Sequence, residues 1–459
     1  MGSSGPGVHD VSNDPQAGSD RAATFSGRVA VVFSTEVFTA TIGIFNGILL
    51  ARLLGPAAKG DYFILVLLPA TALVLLQLGL PQAFGYFAAR GRMTGLLIKA
   101  IVLTTALTVL AYVGVWVLIP LLRDAAFEAI SLNQILFAFC AFPLALYATF
   151  ATSIVLGRRA VRWYAGVNAA TSLVTTVLLV LILGGLGPSV TTALAVYLLT
   201  IAVQSIGFAL GARRVGREAE PGERVSYGSL FGYALKFYPA SVTGFFGYRI
   251  DAYLIALLMA NPSAPLGYYS MAVGLAEMVF FFPRAVGSMF FPHVAGTARA
   301  ESDRHVAIVS RMTLLLTAMF AILLVPAAGV MIALVLPAFA EAFPALIVLL
   351  PGVVMISASS VLGGYLRGIE RPGITSAISL ACLMVNVVAN IVLIPRYGIV
   401  GAAGASLISY SLSAFLLTTV GAHLSGSPLR DFWLPRLDDV RYLLTTGIGL
   451  IRRAAHVRV

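Results

Sequence analysis

The sequence predicts an all-α polytopic membrane protein with twelve transmembrane helices in two six-helix lobes. Two observations favour this fold class. The 459 residues are 59% hydrophobic and only 11% charged, and the mean hydropathy is +0.94. Soluble domains carry about 25% charged residues, so most of this protein's surface must face lipid. In addition, apolar segments recur along the chain, each long enough to cross about 30 Å of hydrocarbon as a helix.

The apolar segments are separated by short clusters of Gly, Pro and Arg. They are predicted at residues 29–50, 62–88, 96–122, 132–156, 164–186, 191–211, 233–260, 265–291, 312–336, 343–366, 375–394 and 400–423. The longest connection is cytoplasmic and mixed in charge, and it separates two groups of six spans. We therefore expect an N-lobe over 27–211, an interlobe linker over 212–232 and a C-lobe over 233–424.

The distribution of basic residues predicts the orientation of the spans. Loops after the even-numbered spans are rich in Arg, whereas loops after the odd-numbered spans carry only Arg52, Lys59, Arg123 and Arg396. Because Arg and Lys concentrate in cytoplasmic loops, the even-numbered loops and both termini are expected in the cytoplasm. The same rule accounts for most of the net charge of +11, so a nucleic-acid partner is not expected.

The two ends of the chain differ from the spans. Residues 1–26 contain Gly, Ser, Asp and Pro without an apolar run, which predicts a disordered cytoplasmic tail and not a signal peptide. Residues 425–459 alternate apolar and charged stretches. An amphipathic helix on the cytoplasmic membrane surface explains this pattern, and a thirteenth span is the alternative.

The two groups of six spans resemble each other in sequence. Equivalent residues are separated by 207 positions early in each group and by 211 positions later. Both offsets join odd spans to odd spans, which indicates a parallel repeat about an axis along the membrane normal. Chance similarity between apolar segments is the alternative. The matched pairs are Gly60 with Gly267, Tyr62 with Tyr269, Gly157 with Gly368, and Gly187 with Gly398.

Three stretches carry information beyond composition. They are ARLLGPAAKGDYFILVLLPATALVLLQLGLPQAFGYFAARG from residue 51, YRIDAYLIALLMA from residue 248 and IPRYGIVGAAGASLISY from residue 394. Together they resemble the polysaccharide-transporter, or oligosaccharide flippase, family. That family belongs to the multidrug, oligosaccharidyl-lipid and polysaccharide exporter superfamily. The resemblance covers about residues 27–424.

The resemblance implies two lobes around a central cavity that opens alternately inward and outward. The implied substrate is an undecaprenyl-pyrophosphate-linked oligosaccharide for O-antigen, capsule or exopolysaccharide synthesis. The implied setting is the bacterial inner membrane, with membrane lipid and polysaccharide-assembly proteins as partners. The sequence contains no phosphate-cradling motif of an ATPase and no catalytic constellation, so we expect no enzyme activity and no cofactor. A coupling ion, H⁺ or Na⁺, is a candidate energy source.

Charged residues inside spans are the first candidates for a substrate site, because a charge is costly in hydrocarbon. The seventh span contains Tyr248, Arg249 and Asp251. Tyr248 and Asp251 share one stripe of the helix, and Arg249 lies beside it. Arg249 is expected to bind pyrophosphate bidentately, and the Tyr248 ring to contact a sugar. A structural Arg–carboxylate pair that joins two helices is the alternative.

The eighth span adds two charged residues to the predicted substrate site. Glu277 and Arg284 lie on one face of the helix, about 10 Å apart along its axis. Glu277 is predicted at the same depth as Arg249, so the two are expected to pair, and substrate phosphate would compete with Glu277. Helix pairing, or extension of Arg284 toward the cytoplasm, is the structural alternative.

Three further residues are candidates for ion coupling or gating. Glu36 lies on a polar face of the first span with Asn46, which predicts either a proton or Na⁺ site or close helix packing. Lys59 and Asp61 flank Gly60 in the predicted first outward loop, where a solvated loop is the alternative. Asp61 matches an acidic position of the peptidoglycan lipid flippase branch. That branch carries several Arg in its first two spans, which are absent from the corresponding spans here.

Two other functions remain open. An ion-coupled antiporter of drugs or organic cations from the same superfamily would need a cavity rich in carboxylates, whereas Arg249 and Arg284 make this one mixed. A membrane glycan polymerase or ligase would need a large outward loop, which the sequence does not contain. Cys and His are scattered, so no metal site is expected. Asn386 and Asn390 are expected to form hydrogen bonds between helices.

Overall fold

The computed structural model describes residues 15–126, 130–218, 223–434 and 436, and within these ranges the regular structure is entirely helical. A π-helical turn (Leu179–Leu183) follows α6, and a 3-10 turn (Pro337–Phe339) precedes α13. The helices are α1 (Pro15–Leu76), α2 (Leu80–Ala89), α3 (Leu96–Ala126), α4 (Leu132–Phe139), α5 (Ala141–Gly157), α6 (Val161–Leu178), α7 (Gly184–Leu186), α8 (Val190–Arg217), α9 (Tyr227–Ala234), α10 (Tyr238–Leu258), α11 (Ser263–Gly296), α12 (Arg299–Val335), α13 (Ala342–Gly368), α14 (Pro372–Ser425) and α15 (Arg430–Trp433).

Nine helical stretches of the described chain are long and apolar enough to cross a membrane. Two of them, α1 and α14, are each bent at a glycine whose backbone is not helical: Gly55 (φ 73°) and Gly398 (φ 56°). Each therefore consists of two consecutive segments. The 21 residues of α10 extend about 32 Å, which is also sufficient to cross. With these segments, every predicted span coincides with a helical part of the structure.

The first outward loop expected around Lys59 and Asp61 is not present. The helix resumes immediately after Gly55, because Pro56 provides a backbone angle suited to a first helical turn. Lys59 and Asp61 therefore lie within helical turns of α1, which corrects the sequence prediction. The chain instead turns at Leu78 and Gly79, whose positive φ angles of 49° and 72° end α1 and separate it from α2.

The predicted tails and linker are only partly described. The chain is helical from Pro15, whereas the sequence analysis expects a tail as far as residue 26, and residues 1–14 lie outside the described residues. In the linker, α8 extends to Arg217 and α9 forms a separate short helix. Near the C-terminus, Phe432 of α15 is buried in the C-lobe core, and residues 437–459 lie outside the described part.

The backbone repeats itself in the two halves. Arg159 and Glu370, 211 positions apart, both adopt the left-handed conformation, with φ angles of 60° and 61°. Gly187 and Gly398 have the same separation, and both have positive φ angles. A residue with positive φ thus recurs at equivalent points of the two halves, at the offset that the sequence repeat predicts.

Small residues allow close helix packing within each lobe. A Cβ atom on Gly157 of α5 would lie 2.4 Å from the carbonyl oxygen of Gly85 in α2. In the C-lobe, a Cβ atom on Gly364 of α13 would lie 2.4 Å from the carbonyl oxygen of Gly287 in α11. Such backbone contact is a common way for helices to associate in lipid, where burial of apolar side chains provides little drive.

Candidate functional site

Helix α10 lies at the boundary between the lobes. Near its start, the Tyr238 hydroxyl donates a hydrogen bond of 3.0 Å to the Leu75 carbonyl oxygen of the N-lobe. Near its end, the Tyr253 hydroxyl bonds to the Thr71 hydroxyl. Arg249 lies between these contacts and only about 20° around the helix axis from Tyr238. Its side chain is therefore on the side of α10 that faces the N-lobe.

Arg249 and Glu277 form an ion pair between α10 and α11. The Arg249 Nη2 atom lies 2.9 Å from the Glu277 Oε1 atom, which is the pair that the sequence analysis expects. Both side chains are partly exposed, by 28% and 44%. Open space also surrounds Gly274, one turn earlier on α11, because a Cβ atom there would meet nothing within 4 Å. The pair is thus accessible to a ligand.

An accessible ion pair of this kind can be exchanged at low cost. Exposed pairs contribute only about 0–1 kcal/mol to stability, because water and salt screen the two charges. A phosphate offers two oxygens in the geometry that guanidinium binds best. A phosphate in this space can therefore replace Glu277 as the partner of Arg249.

Aromatic side chains surround the ion pair on the C-lobe side. The partly exposed Tyr248 ring has its centroid 5.7 Å from that of Phe280 and 5.9 Å from that of Tyr410. The Arg284 guanidinium carbon lies 5.2 Å from the Phe280 ring centroid. The cavity among these side chains measures about 30 Å³, the volume of about one water molecule. This cavity is too small for a sugar ring, so only the exposed part of Tyr248 is open to a larger ligand.

Asp251 is the most deeply buried of the predicted substrate-site residues. It is 2% exposed, because α10 packs this side against α14. Its Oδ2 atom accepts hydrogen bonds from Tyr269 (2.6 Å) and Ser406 (2.5 Å). Its Oδ1 atom accepts one of 3.0 Å from Asn390 Nδ2. Asp251 nevertheless lines the same small cavity as Tyr248, Glu277 and Arg284, at its α14 side.

The hydrogen-bond partners of Asp251 are all neutral. A buried carboxylate without a cationic partner is unfavourable unless it is protonated or balanced by a bound cation. Asn386 and Asn390 form the interhelical polar cluster that the sequence analysis expects. The Nδ2 atom of Asn386 and the Oδ1 atom of Asn390 are buried and have no hydrogen-bond partner among the described residues. The cluster therefore has one donor and one acceptor that are free to bind a further group beside the Asp251 carboxylate.

The polar face of the first span contacts α6. The Tyr164 hydroxyl donates a hydrogen bond of 2.6 Å to Glu36 Oε1, and the Thr176 hydroxyl donates one of 2.8 Å to Asn46 Oδ1. Glu36 is thus tied to a neighbouring helix of its own lobe. Gly43, between Glu36 and Asn46, has no atom within 4 Å of a Cβ position, so this face also borders open space. The face thus makes hydrogen bonds to α6, and the proton or Na⁺ site predicted at Glu36 stays a prediction.

The two lobes also meet where α1 contacts α11, at the end that the positive-inside rule predicts to face outward. Gly60 and Gly267 lie at this contact, although the sequence analysis matched them only as repeat partners. Asp61 lies next to Ser263, whereas Lys59 forms no described ion pair. This arrangement places both residues at a contact between lobes and not in a solvated loop. The sequence signal that could have identified the contact was the repeat match itself.

Two known proteins resemble parts of the chain in sequence, although no protein-family model matches it. It is 26% identical over 194 residues to the probable low-salt glycan biosynthesis flippase Agl15 of Haloferax volcanii, across 41% of this chain and 40% of that protein. It is 28% identical over 176 residues to an uncharacterized membrane protein of Methanocaldococcus jannaschii, across 36% of this chain and 34% of that protein. The matches thus span less than half the length of these relatives.

Solved structures resemble the chain over most of its length. Lipid II flippase MurJ in an inward closed conformation has a TM-score of 0.67 and 16% identity, covering 88% of this chain and 89% of MurJ. An inward-facing multidrug resistance MATE family transporter of the MOP superfamily has a TM-score of 0.58 and 16% identity, covering 87% and 98%. A MOP superfamily transporter from Pyrococcus furiosus has a TM-score of 0.57 and 14% identity, covering 87% and 94%.

These likenesses define the fold. The chain is a polytopic membrane protein with the two-lobed, all-helical architecture of MOP-superfamily transporters.

Proposed function

We propose that this protein transports a lipid-linked glycan across a membrane by alternating access between its lobes. The observation that carries the proposal is the exposed Arg249–Glu277 ion pair on the interlobe side of α10 and α11. The relatives support it, because one is named as a flippase for glycan biosynthesis and another as a lipid II flippase. The proposed substrate is an undecaprenyl-pyrophosphate-linked oligosaccharide for O-antigen, capsule or exopolysaccharide synthesis, moved to the outer leaflet of a bacterial inner membrane.

The chemistry of such a substrate requires a polar path. Sugar hydroxyls and a pyrophosphate cannot cross hydrocarbon unassisted, since each polar group without a hydrogen-bond partner costs on the order of several kcal/mol there. In our proposal Arg249 binds the pyrophosphate. Arg284, which lies about 10 Å from Glu277 along α11, provides a second cation. The exposed face of Tyr248 contacts a sugar ring, and the polyprenyl tail remains in the bilayer.

Exchange of partners at Arg249 links binding to movement. Substrate phosphate displaces Glu277, which leaves an uncompensated carboxylate at the lobe boundary. Repulsion between that carboxylate and the bound phosphate favours a rearrangement in which the lobes separate at the closed outward end. Release of the phosphate outside lets Glu277 pair with Arg249 again and returns the protein to the starting state. Glu277 thus acts as a substitute anion during the return step.

Energy is proposed to come from H⁺ or a monovalent cation at Asp251. The carboxylate is buried among neutral donors, so gain or loss of a positive charge there changes the stability of the α10–α14 contact. Glu36 is the corresponding candidate in the N-lobe, because it is a half-buried acid on α1. Lys59 and Asp61 are proposed as gating residues, since they lie at the outward contact between lobes.

Genetics offers a test of the proposed function. A strain that lacks the gene is expected to accumulate a polyprenyl-pyrophosphate-linked oligosaccharide on the cytoplasmic leaflet, and wild-type protein is expected to clear it. Arg249→Ala is expected to leave the intermediate in place, whereas Arg396→Ala, a basic residue at the outward bend of α14, should clear it. Absence of any polyprenyl-linked sugar in the deletion strain would refute the proposal.

Antiport of an organic cation is the second candidate function. The observation that favours it is the structural likeness to a multidrug resistance MATE family transporter, together with carboxylates at positions 36, 251 and 277. Uptake of a fluorescent organic cation into proteoliposomes, driven by an opposing H⁺ or Na⁺ gradient, would support this function. The same vesicles would then fail to move a lipid-linked oligosaccharide.

A further inference from the structure

A second concave site lies in the N-lobe, at the end of α6 and α8 that the positive-inside rule places at the cytoplasmic face. It is a cavity of about 810 Å³ between α1 at Val31, the α5–α6 turn and the last turns of α8. Arg159, Arg162 and Arg214 line it, together with Trp163 and Glu218. The Arg249–Glu277 pair belongs to the C-lobe and takes no part in this cavity.

The α5–α6 turn presents positive charge of two kinds. Arg159 adopts a left-handed backbone (φ 60°), which is uncommon for a residue with a side chain. The residue before α6, Ala160, provides no side-chain cap, so the first turn of this 18-residue helix borders the cavity uncapped. An uncapped helix N-terminus with nearby guanidinium groups attracts anions, and phosphate in particular.

The opposite side of the cavity is rigidly built. The Trp163 indole Nε1 donates a hydrogen bond of 2.9 Å to the Gly207 carbonyl oxygen. The ring lies so close to Gly211 that a Cβ atom there would come within 2.3 Å of Nε1. The Arg214 guanidinium carbon lies 5.8 Å from the Trp163 ring centroid, and Arg214 pairs with Glu218 at 3.2 Å. One carboxylate therefore faces three guanidinium groups among the residues that line the cavity.

The repeat shows that the turn does not require these arginines. In the C-lobe the same left-handed turn is formed by Glu370, at the position of Arg159. Gly373 stands at the position of Arg162. Since an acidic residue supports the same backbone geometry, folding alone does not explain two arginines in the N-lobe turn. The two N-lobe arginines are thus free of a backbone role and available to a negative partner, whereas the C-lobe turn carries a single arginine, Arg371, beside Glu370.

The neighbouring surface of α8 indicates what carries the negative charge. Ile206 and Leu210 precede Arg214 by eight and four residues, so the three side chains share one face of the helix. The two apolar side chains are 60% and 52% exposed, as expected for contact with lipid chains. We infer that the cavity binds the phosphate group of a membrane lipid of the cytoplasmic leaflet, whose chains lie along this face of α8.

Lipid binding to purified protein tests the inference without any transport measurement. The probes are undecaprenyl phosphate, phosphatidylglycerol, phosphatidylcholine and inorganic pyrophosphate, each added to detergent-solubilised protein and followed by native mass spectrometry. The pocket variant combines Arg159→Gln, Arg162→Gln and Arg214→Gln. The control combines Arg158→Gln, Arg213→Gln and Arg217→Gln, which removes the same charge from neighbouring positions that do not line the cavity.

The pocket variant is expected to bind the two anionic lipids at least tenfold more weakly than wild type, and the control variant within twofold. Tighter binding of undecaprenyl phosphate identifies a polyprenyl lipid as the source of the phosphate, and tighter binding of phosphatidylglycerol identifies bulk phospholipid. Equal loss in both variants, or pyrophosphate binding as tight as that of the lipids, overturns the inference. Arg162→Gln alone, with an expected loss of about threefold, replaces the pocket variant if that variant does not fold.

Discussion

Gly60 and Gly267 contact each other across the lobes although they occupy equivalent positions in the two halves of the chain. A Cβ atom on Gly60 would lie 1.7 Å from the Ser263 carbonyl oxygen and 2.7 Å from the Gly267 nitrogen. A Cβ atom on Gly267 would lie 1.9 Å from the Pro56 carbonyl oxygen. Real Cβ atoms do not approach backbone atoms this closely, so only glycine at both positions permits α1 and α11 to approach as they do here.

Gly60→Ala is therefore expected to favour opening at the outward end. The added methyl group cannot fit against α11, so the closed state loses stability and the transport rate falls at least severalfold. A cysteine at position 274, in a protein whose Cys140 and Cys382 are replaced by Ala, should react faster with an impermeant maleimide added from outside. Gly43→Ala is the matched control, because a methyl group there meets nothing within 4 Å. Unchanged labelling and transport in Gly60→Ala would show that this contact does not gate the outward end.

Two substitutions of Asp251 distinguish its contribution to stability from its proposed role in ion coupling. Asp251→Leu leaves the Tyr269, Ser406 and Asn390 donors without their acceptor, at a cost of about 1–3 kcal/mol for each donor left unpaired. Asp251→Asn keeps the shape and an acceptor oxygen but removes the charge. We expect a large loss of thermal stability for Leu and a small loss for Asn.

Transport measurements on the same variants test the coupling role. Asp251→Asn is expected to lose the dependence of transport on an imposed H⁺ or Na⁺ gradient while it still binds substrate. Asn390→Asp, which adds a second acid to the cluster, is expected to alter that dependence without removing it. An Asp251→Asn protein that responds to both gradients like wild type would exclude Asp251 as the coupling residue.

The hydrogen bond between Glu36 and Tyr164 is expected to stabilise the N-lobe. Tyr164→Phe removes the hydroxyl that the described structure places on the Glu36 carboxylate, which should lower the free energy of unfolding by about 1 kcal/mol. Thermal unfolding in detergent measures this change. Thr41→Val is the control, because the Thr41 hydroxyl bonds only to the Val37 carbonyl oxygen within α1. Equal unfolding temperatures for wild type and Tyr164→Phe would mean that the bond contributes nothing.

Much of the fold could be predicted from the sequence because lipid imposes a simple requirement on each span. A helix that crosses the membrane needs about 20 apolar residues, so the spans are visible as segments. The depth of Arg249 and Glu277 within neighbouring spans was likewise sufficient to predict their pairing. The bends at Gly55 and Gly398 were less accessible, since a glycine between two apolar segments fits a loop as well as a continuous bent helix.

The candidate site was harder to predict, because helix rotation depends on tertiary packing. Tyr248 and Asp251 are three residues apart and share a stripe by helical periodicity, yet the packing of α10 against α14 buries one and leaves the other partly exposed. Similarly, Arg159 and Arg214 are 55 positions apart in sequence, and only the three-dimensional structure brings them to one cavity. Asn386 and Asn390 are the sequence feature that could have indicated the burial of Asp251, because polar residues in an apolar span need a polar partner.

The role of the Arg249–Glu277 pair is most directly tested by reconstitution. Protein in vesicles would be given a fluorescent polyprenyl-pyrophosphate-linked oligosaccharide, and its movement between leaflets followed by quenching from outside. Arg249→Ala is expected to reduce the rate of substrate movement at least tenfold. The Glu277→Gln protein should bind substrate more tightly, but the empty protein should return to its starting state more slowly. The exchanged pair, Arg249→Glu with Glu277→Arg, keeps the ion pair and moves the cation to α11. Our account predicts that this exchange does not restore transport, and transport at the wild-type rate by Arg249→Ala would contradict it.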